Sequence, residues 1–326
     1  MKDIGIDLGT ANILIYVKGQ GIILNEPSVV AIDTETRKPL AFGNEAFDML
    51  GKTPFKVRAI KPMKDGVIAD FEITELMLDY FVNKVKARGL FKKPRIVICC
   101  PADTTPVEKN AIREAAEKLG AKKVYLEEEP KAAAIGVGLD ISKPNGNMVI
   151  DIGGGTTDIA VLSLGGIVVS RSLKVAGNVF DNDIKEYIKN KYKLLIGDKT
   201  AQSIKHQIGS VYESSEEEEM EVRGRDLETG LPSIIMINSQ EIEESLKEDV
   251  NKIILATKSV LEDTPPELSA DIIENGAVLT GGGSLINGLK ELLEHELKIP
   301  IYLAETPLTS VAEGTGILLE NLYLLD

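Results

Sequence analysis

The sequence predicts an α/β fold built twice, as two lobes around a cleft, and three observations carry that expectation. Strand-like apolar runs alternate with helix-periodic stretches along the chain. A strand, glycine turn and second strand near the N-terminus recur near the middle. A chain of 326 residues also exceeds what one small core needs, so two cores are expected.

In order along the chain, residues 4–8 and 13–17 are short apolar runs read as strands, and residues 74–88 carry helical spacing. Residues 95–100 read as a strand, 106–119 as a helix and 123–126 as a strand. Pro130 lies just inside the next helix, where a missing N–H costs nothing. The second half repeats this grammar, with strands over 148–152, 159–164 and 167–175 and helices over 179–191 and 200–211. Residues 216–219 are an acidic run read as a solvated loop, and 221–224 and 233–237 as β segments. Over 241–262, Ile242, Leu246, Val250, Ile253, Ile254, Thr257 and Leu261 form one apolar stripe of a long helix, which Pro265 and Pro266 stop. A helix is expected over 285–297 and a short helical end over 311–325.

Composition narrows the function. Hydrophobic residues at 43% and charged residues at 27% describe a globular chain rather than a disordered one. A net charge of −14 opposes the counterion release that drives nucleic-acid binding, so nucleic acid is excluded as a partner. Cys99 and Cys100 are adjacent in an apolar run, a poor arrangement for a disulfide or a metal site, and read as buried strand residues. His206 and His295 sit far apart in polar helical stretches and are set aside as metal or catalytic groups. The N-terminus enters a strand directly, with no apolar signal core, so a cytoplasmic protein is expected. No apolar run approaches the roughly 20 residues needed to span a bilayer, and any membrane contact is expected to be peripheral.

The chemistry concentrates in the repeated device. Residues 4–15 read IGIDLGTANILI and residues 149–160 read VIDIGGGTTDIA. Each copy has an apolar strand, an Asp, a glycine turn, a small hydroxyl residue and a second strand, which describes a hairpin with a tight tip. Glycines at such a tip remove the Cβ atoms that keep a phosphate away, so backbone N–H groups can converge on an anion. The candidate phosphate-binding residues are therefore Gly9, Thr10, Ala11 and Asn12 with Gly153, Gly154, Gly155 and Thr156. Asp7 and Asp151 supply hard oxygens for Mg²⁺, which keeps most of its waters and is expected to be held through them. A third glycine turn, Gly281, Gly282 and Gly283, follows a strand and opens the helix expected over 285–297, and it suits the nucleoside side. No Walker-type GxxxxGK[ST] pattern is present.

These three turns, in this order, resemble the actin, sugar-kinase and heat-shock-chaperone ATPase superfamily. Residues 24–31 (LNEPSVVA), 62–71 (PMKDGVIADF), 195–197 (LIG), 223–226 (RGRD) and 264–268 (TPPEL) resemble the MreB/Mbl family of bacterial actin homologues, along essentially the entire chain. The segments 98–101 (ICCP) and 125–131 (YLEEEPK) look more like Mbl. The resemblance implies an actin-like (ribonuclease H-like) duplicated fold, with lobe I over 1–139, lobe II over 140–308 and a C-terminal helix over 309–326 returning to lobe I. It implies small subdomains inserted at about 30–61 and about 175–243.

By the same resemblance Glu129 matches the glutamate that orients the attacking water, Thr156 its hydroxyl partner, and Asp151 completes the catalytic set. Gly177, Asn178, Gln202 and Lys205 match ribose- and base-side positions. The chain departs from the family at Gln202 and Ser203, where acids are usual, and at Asn178, where Asp is common, so base and ribose contacts change. The implied function is a slow ATPase, with ATP and Mg²⁺ as cofactors, that polymerises into filaments of paired protofilaments. The implied partners are other copies of itself, the inner face of the cell membrane, and shape or cell-wall machinery. Residues 84–95 hold six basic residues around Leu90 and Phe91, the expected membrane contact. Two rivals remain: a soluble sugar or acid kinase, for which no acceptor site is evident, and a chaperone-type ATPase, which would carry a separate peptide-binding region.

Overall fold

The computed structural model describes residues 2–85, 93–212 and 218–322. In the N-terminal half, strands β1 (Ile4–Leu8), β2 (Asn12–Val17), β3 (Gly21–Pro27), β9 (Arg95–Cys100) and β10 (Lys123–Glu128) form one sheet in the order β10-β9-β1-β2-β3. There β1 is antiparallel to β2 and parallel to β9, β3 is antiparallel to β2, and β10 is parallel to β9. In the second half, β11 (Asn147–Ile152), β12 (Thr157–Ser163), β13 (Gly166–Leu173), β17 (Ala277–Thr280) and β18 (Ile301–Leu303) form a sheet in the order β13-β12-β11-β17-β18. Every pairing has the same sense as its counterpart in the first sheet. The echo in sequence is therefore a duplication of topology, and it places Asp7 and Asp151 on equivalent central strands.

Smaller sheets lie beyond the main ones. Strands β4 (Val30–Asp33), β5 (Pro39–Phe42) and β6 (Val57–Ile60) pair in the order β5-β4-β6, with helix α1 (Asn44–Met49) against them. A tight hairpin, β7 (Met63–Lys64) and β8 (Val67–Ile68), turns through Asp65 at φ 50° and Gly66 at φ 77°, the left-handed pair that an Asp-Gly hairpin favours. In the other half β14 (Leu194–Leu195), β15 (Glu219–Asp226) and β16 (Pro232–Asn238) pair antiparallel.

Helix boundaries follow local capping. Asp70 caps α2 (Phe71–Lys84) by accepting the Ile73 N–H at 3.2 Å, which starts this helix earlier than the expected 74–88. Thr105 and Glu108 form a capping box at α3 (Pro106–Lys118), and Asn238 and Glu241 form another at α7 (Ser239–Asp263). Helix α4 (Glu129–Gly136) begins on Glu129, with Pro130 one position later. Helices α5 (Gly177–Tyr192) and α6 (Asp198–Ile208) each start two residues before their expected positions. Helix α8 (Pro266–Asn275) follows the proline stop.

The helix expected over 285–297 is corrected: a 3-10 turn covers Gly282–Leu285, and α9 (Leu289–Leu297) starts only after Gly288, at φ 78°. The strand expected to reach 175 ends at Leu173, α10 spans Ser310–Glu320 rather than 311–325, and Glu219 of the acidic run opens β15.

Each main sheet has its own apolar core, and a third core joins them. Val97 and Cys99 from the first sheet and Val149, Ala160 and Leu162 from the second meet Ala132, Ala133 and Ala134 of α4 and Leu318 and Leu319 of α10. Small residues let these helices touch backbone to backbone, because a Cβ on Gly314 would overlap the Ala132 carbonyl group.

Helix α5 also packs on α7. Burial, then the neighbouring Asp249 carboxyl, pushes Asp183 up to about 7 despite Lys252 nearby. The folded protein thus holds a proton that the unfolded chain releases near 3.8, so this pair loses stability as pH rises from about 4 through 7. Asp183→Asn is expected to unfold like wild type at pH 4 and to gain roughly 1–2 kcal/mol over it at pH 8, after allowing for solvent screening of a half-buried pair. Urea unfolding at both pH values measures this.

Candidate functional site

The two hairpin tips face each other. The turn between β1 and β2 is braced by Ser28, whose hydroxyl donates to the Gly9 carbonyl at 2.7 Å and whose N–H donates to that of Ala11 at 2.9 Å. The turn between β11 and β12 is braced by the start of α5, where the Gly177 and Asn178 N–H groups donate to the Gly153 and Gly154 carbonyls at 3.1 and 2.8 Å. The tips then touch across the halves: a Cβ on Gly154 would lie 2.5 Å from the Ala11 Cβ, and one on Gly155 would lie 2.8 Å from the Thr10 Cβ. Glycine is required at both positions by this close approach.

A third element enters at the same point. The Gly66 N–H donates to the Thr10 hydroxyl oxygen at 2.9 Å inside the protein, and a Cβ on Gly66 would lie 2.8 Å from the Thr156 methyl group. The β7–β8 hairpin is thus wedged against both tips. The third glycine turn closes the opposite side, with the Gly281 N–H donating to the Pro307 carbonyl at 3.0 Å and Gly281 packed on the Asp151 carboxylate.

These elements surround a cleft of about 710 Å³, within the size range of small-molecule sites. Gly9, Thr10, Ala11, Asn12, Gly153, Gly154, Gly155, Thr156, Gly177, Asn178, Gln202, Lys205, Gly281, Gly282 and Gly283 all line it. So do Asp7, Glu129 and Asp151. Leu90 and Phe91 lie outside the described residues. Several wall residues were not anticipated, among them Gly66, Phe180, Asp181, His206, Asn287 and Leu308. The Asp65-Gly66 turn lies in the stretch 62–71 that carries the family resemblance, and its place as a wedge between the tips comes from the structure alone.

The cleft floor is acidic. Burial pushes Asp7 up to about 7. Burial, then Asp158 and Asp7, pushes Asp151 well above the usual carboxylate range. Burial, then Asp158, Asp7 and Asp151, does the same to Glu129. Asp158 rises to about 6 through burial, although it accepts the Ala102 N–H at 3.0 Å. The basic residues among the described cleft lining are Lys205 and His206. Lys205 is already engaged, 2.7 Å from Asp181 Oδ1 and 2.8 Å from the Gly177 carbonyl. His206 is held below its ordinary value by burial and by Lys205.

Among the described residues no three carboxylate, imidazole or thiol groups converge to ligate a metal directly. Carboxylates that repel one another without a shared ligation centre fit a hydrated divalent cation, held through its waters. The floor disfavours a bare polyanion and accommodates one that brings its own cation.

A duplicated α/β fold with paired glycine hairpins facing one cleft defines the actin-like class of proteins. The chain is similar to crystal structures of MreB5 of Spiroplasma citri bound to ADP and to AMPPNP, each with a TM-score of 0.94. Identities are 43% and 42%, covering 98% and 99% of this chain and 97% of each of those. It is 61% identical to the cell shape-determining protein Mbl of Bacillus cereus, over 98% of this chain and 96% of that protein. It is 52% identical to the cell shape-determining protein MreB of Escherichia coli, over 98% of this chain and 93% of that protein. All of residues 1–326 match the MreB/Mbl protein family, and the chain belongs to that family.

The Thr10 hydroxyl is the buried acceptor for the Gly66 N–H. Thr10→Val leaves that N–H unpaired and is expected to cost about 1–3 kcal/mol, whereas Thr10→Ser keeps the bond and most of the stability. Denaturant unfolding of the two variants separates these outcomes.

Proposed function

We propose that this protein is an ATP-dependent, actin-like cytoskeletal filament protein of cell shape, working in the cytoplasm on the inner membrane face and organising cell-wall synthesis. The observation that supports it most is the contact of two glycine hairpin tips, from opposite halves of the chain, inside one acidic cleft. The nucleotides bound to the Spiroplasma relatives and the cell-shape names of the bacterial ones support the same reading. We assign lobe I to residues 1–139, lobe II to 140–308 and the returning C-terminal helix to 309–326, with small subdomains at about 30–61 and 175–243.

In this reading N–H groups of Gly9 to Asn12 and Gly153 to Thr156 hold the phosphates of ATP, and the third glycine turn with Gln202 and Lys205 holds the nucleoside. Asp7 and Asp151 hold Mg²⁺ through water. When bound, Mg²⁺ neutralises charge on the phosphates and on the floor. Glu129, in its carboxylate form, accepts a proton from the attacking water. Thr156 orients that water. Both halves touch the same nucleotide, so ATP and ADP favour different interlobe angles, and hydrolysis acts as a slow timer on filament contacts.

Membrane attachment is assigned to Leu90 and Phe91 within the basic stretch 84–95. Lys and Arg near an anionic leaflet contribute roughly 1 kcal/mol each, weak for one subunit and firm for a filament through avidity. No helix among the described residues is long and apolar enough to cross a membrane.

ATP-dependent sedimentation with electron microscopy tests the proposal: filaments with ATP support it, and soluble protein in every nucleotide and salt condition favours a kinase. Glu129→Gln is expected to keep ATP affinity and slow phosphate release by about 100-fold or more; a wild-type rate removes Glu129 from the mechanism. Replacing Leu90 and Phe91 with Ser is expected to abolish co-pelleting of assembled protein with anionic liposomes, and unchanged pelleting rejects that contact.

A further inference from the structure

Beyond the cleft floor, the halves meet again through α1 and α6. Lys199 of α6 places its Nζ 3.1 Å from Asp48 Oδ1 of α1 and 4.4 Å above the centre of the Phe47 ring. The Lys199 side chain is only 27% exposed while that of Asp48 is 82% exposed, so the lysine reaches out of its own helix and lies across the other half. Its neighbour Asp198 does not draw it back, because Lys185 occupies Asp198 at 2.6 Å. Charge runs the opposite way one residue along. After the Lys185 hydrogen bond, the Lys61 ammonium of the first half also pulls the Asp198 carboxyl below its usual range.

The position matters because of what α6 carries. Gln202, Lys205 and His206 line the cleft one to two turns beyond Lys199, and Lys205 ties α6 to the start of α5. Helix α1 lines none of the cleft and belongs to the small β5-β4-β6 sheet. Separating the halves to release a cleft occupant moves α6 away from α1, and that motion breaks the ion pair and the ring contact together.

We infer that Lys199, Asp48 and Phe47 form an interlobe clasp that gates nucleotide exchange. The inference rests on the nucleotide reading above and adds to it the contact that holds the cleft shut. A half-exposed ion pair with one cation–π contact is a weak bond, which suits a gate that must open; losing it is expected to shift the open population roughly threefold to tenfold.

Stopped-flow displacement of a fluorescent ATP analogue by excess ATP, with Mg²⁺, reads the gate in the full chain. Lys199→Ala is expected to release the analogue roughly three to ten times faster than wild type, and the swap Asp48→Lys with Lys199→Glu to return most of that loss. Asp48→Asn, at an exposed position, provides a second test if Lys199→Ala folds poorly. Release at the wild-type rate in Lys199→Ala or Asp48→Asn overturns the clasp. Wild-type protein that binds no analogue overturns the nucleotide reading instead, and the clasp is then decided without ligand. Spin labels on Glu45→Cys and Lys193→Cys, with Cys99 and Cys100 buried, report the interlobe distance. A shift to longer distances in Lys199→Ala supports the clasp, and an unchanged distribution overturns it.

Discussion

The cleft depends on one steric constraint, the approach of Gly154 to Ala11 and of Gly155 to Thr10 across the two halves. Side chains there would hold the tips apart by more than an ångström and leave each hairpin facing solvent. With glycine present, the tips share one space, and the β7–β8 turn locks into it through the Gly66 to Thr10 hydrogen bond. The backbone groups that could converge on one phosphate chain are therefore supplied by both halves of the chain. The duplication of topology makes this possible, because each lobe presents the same strand end to the other.

What lies behind the tips is stiff. The shared core of α4 and α10 between the two sheets is built from Ala and Gly, so the backbones are in contact and little side-chain freedom remains. Glu129, as the first residue of α4, is fixed by that packing and not by a flexible loop. In the proposed reading, motion between lobes concentrates away from Glu129, at the exposed pair of Lys199 and Asp48 and the small sheets. Burial drives Asp7, Glu129, Asp151 and Asp158 each toward the protonated form, and at Glu129 and Asp151 the neighbouring carboxylates add to it. On the same reading, a metal-bound polyphosphate offsets that charge, which ties occupancy of the cleft to the charge state of its floor.

The hairpins were legible in sequence because Asp, Gly and Thr within a few residues encode a local turn between apolar strands, and the fold class followed from their repetition. Both cysteines also lie where the apolar run placed them, buried in β9. Other features required tertiary information. The helix after the third glycine turn was placed too early because Gly288, which must avoid Tyr212, interrupts it. His206 was set aside as a polar helical residue, yet α6 packs so that this face walls the cleft. Asp181 and Phe180 gave no signal, since only the docking of α5 on the second hairpin turns them inward. The short strands β4 to β6 escaped reading because runs of about four residues carry too little periodicity.

The central claim is that both halves grip one magnesium-bound nucleotide, and titration calorimetry tests it directly. With folded protein and Mg²⁺ present, ATP is expected to bind one per chain with measurable heat, and to bind far more weakly when the metal is chelated. Absence of any heat of association with Mg²⁺ and ATP, checked at two temperatures, would contradict it.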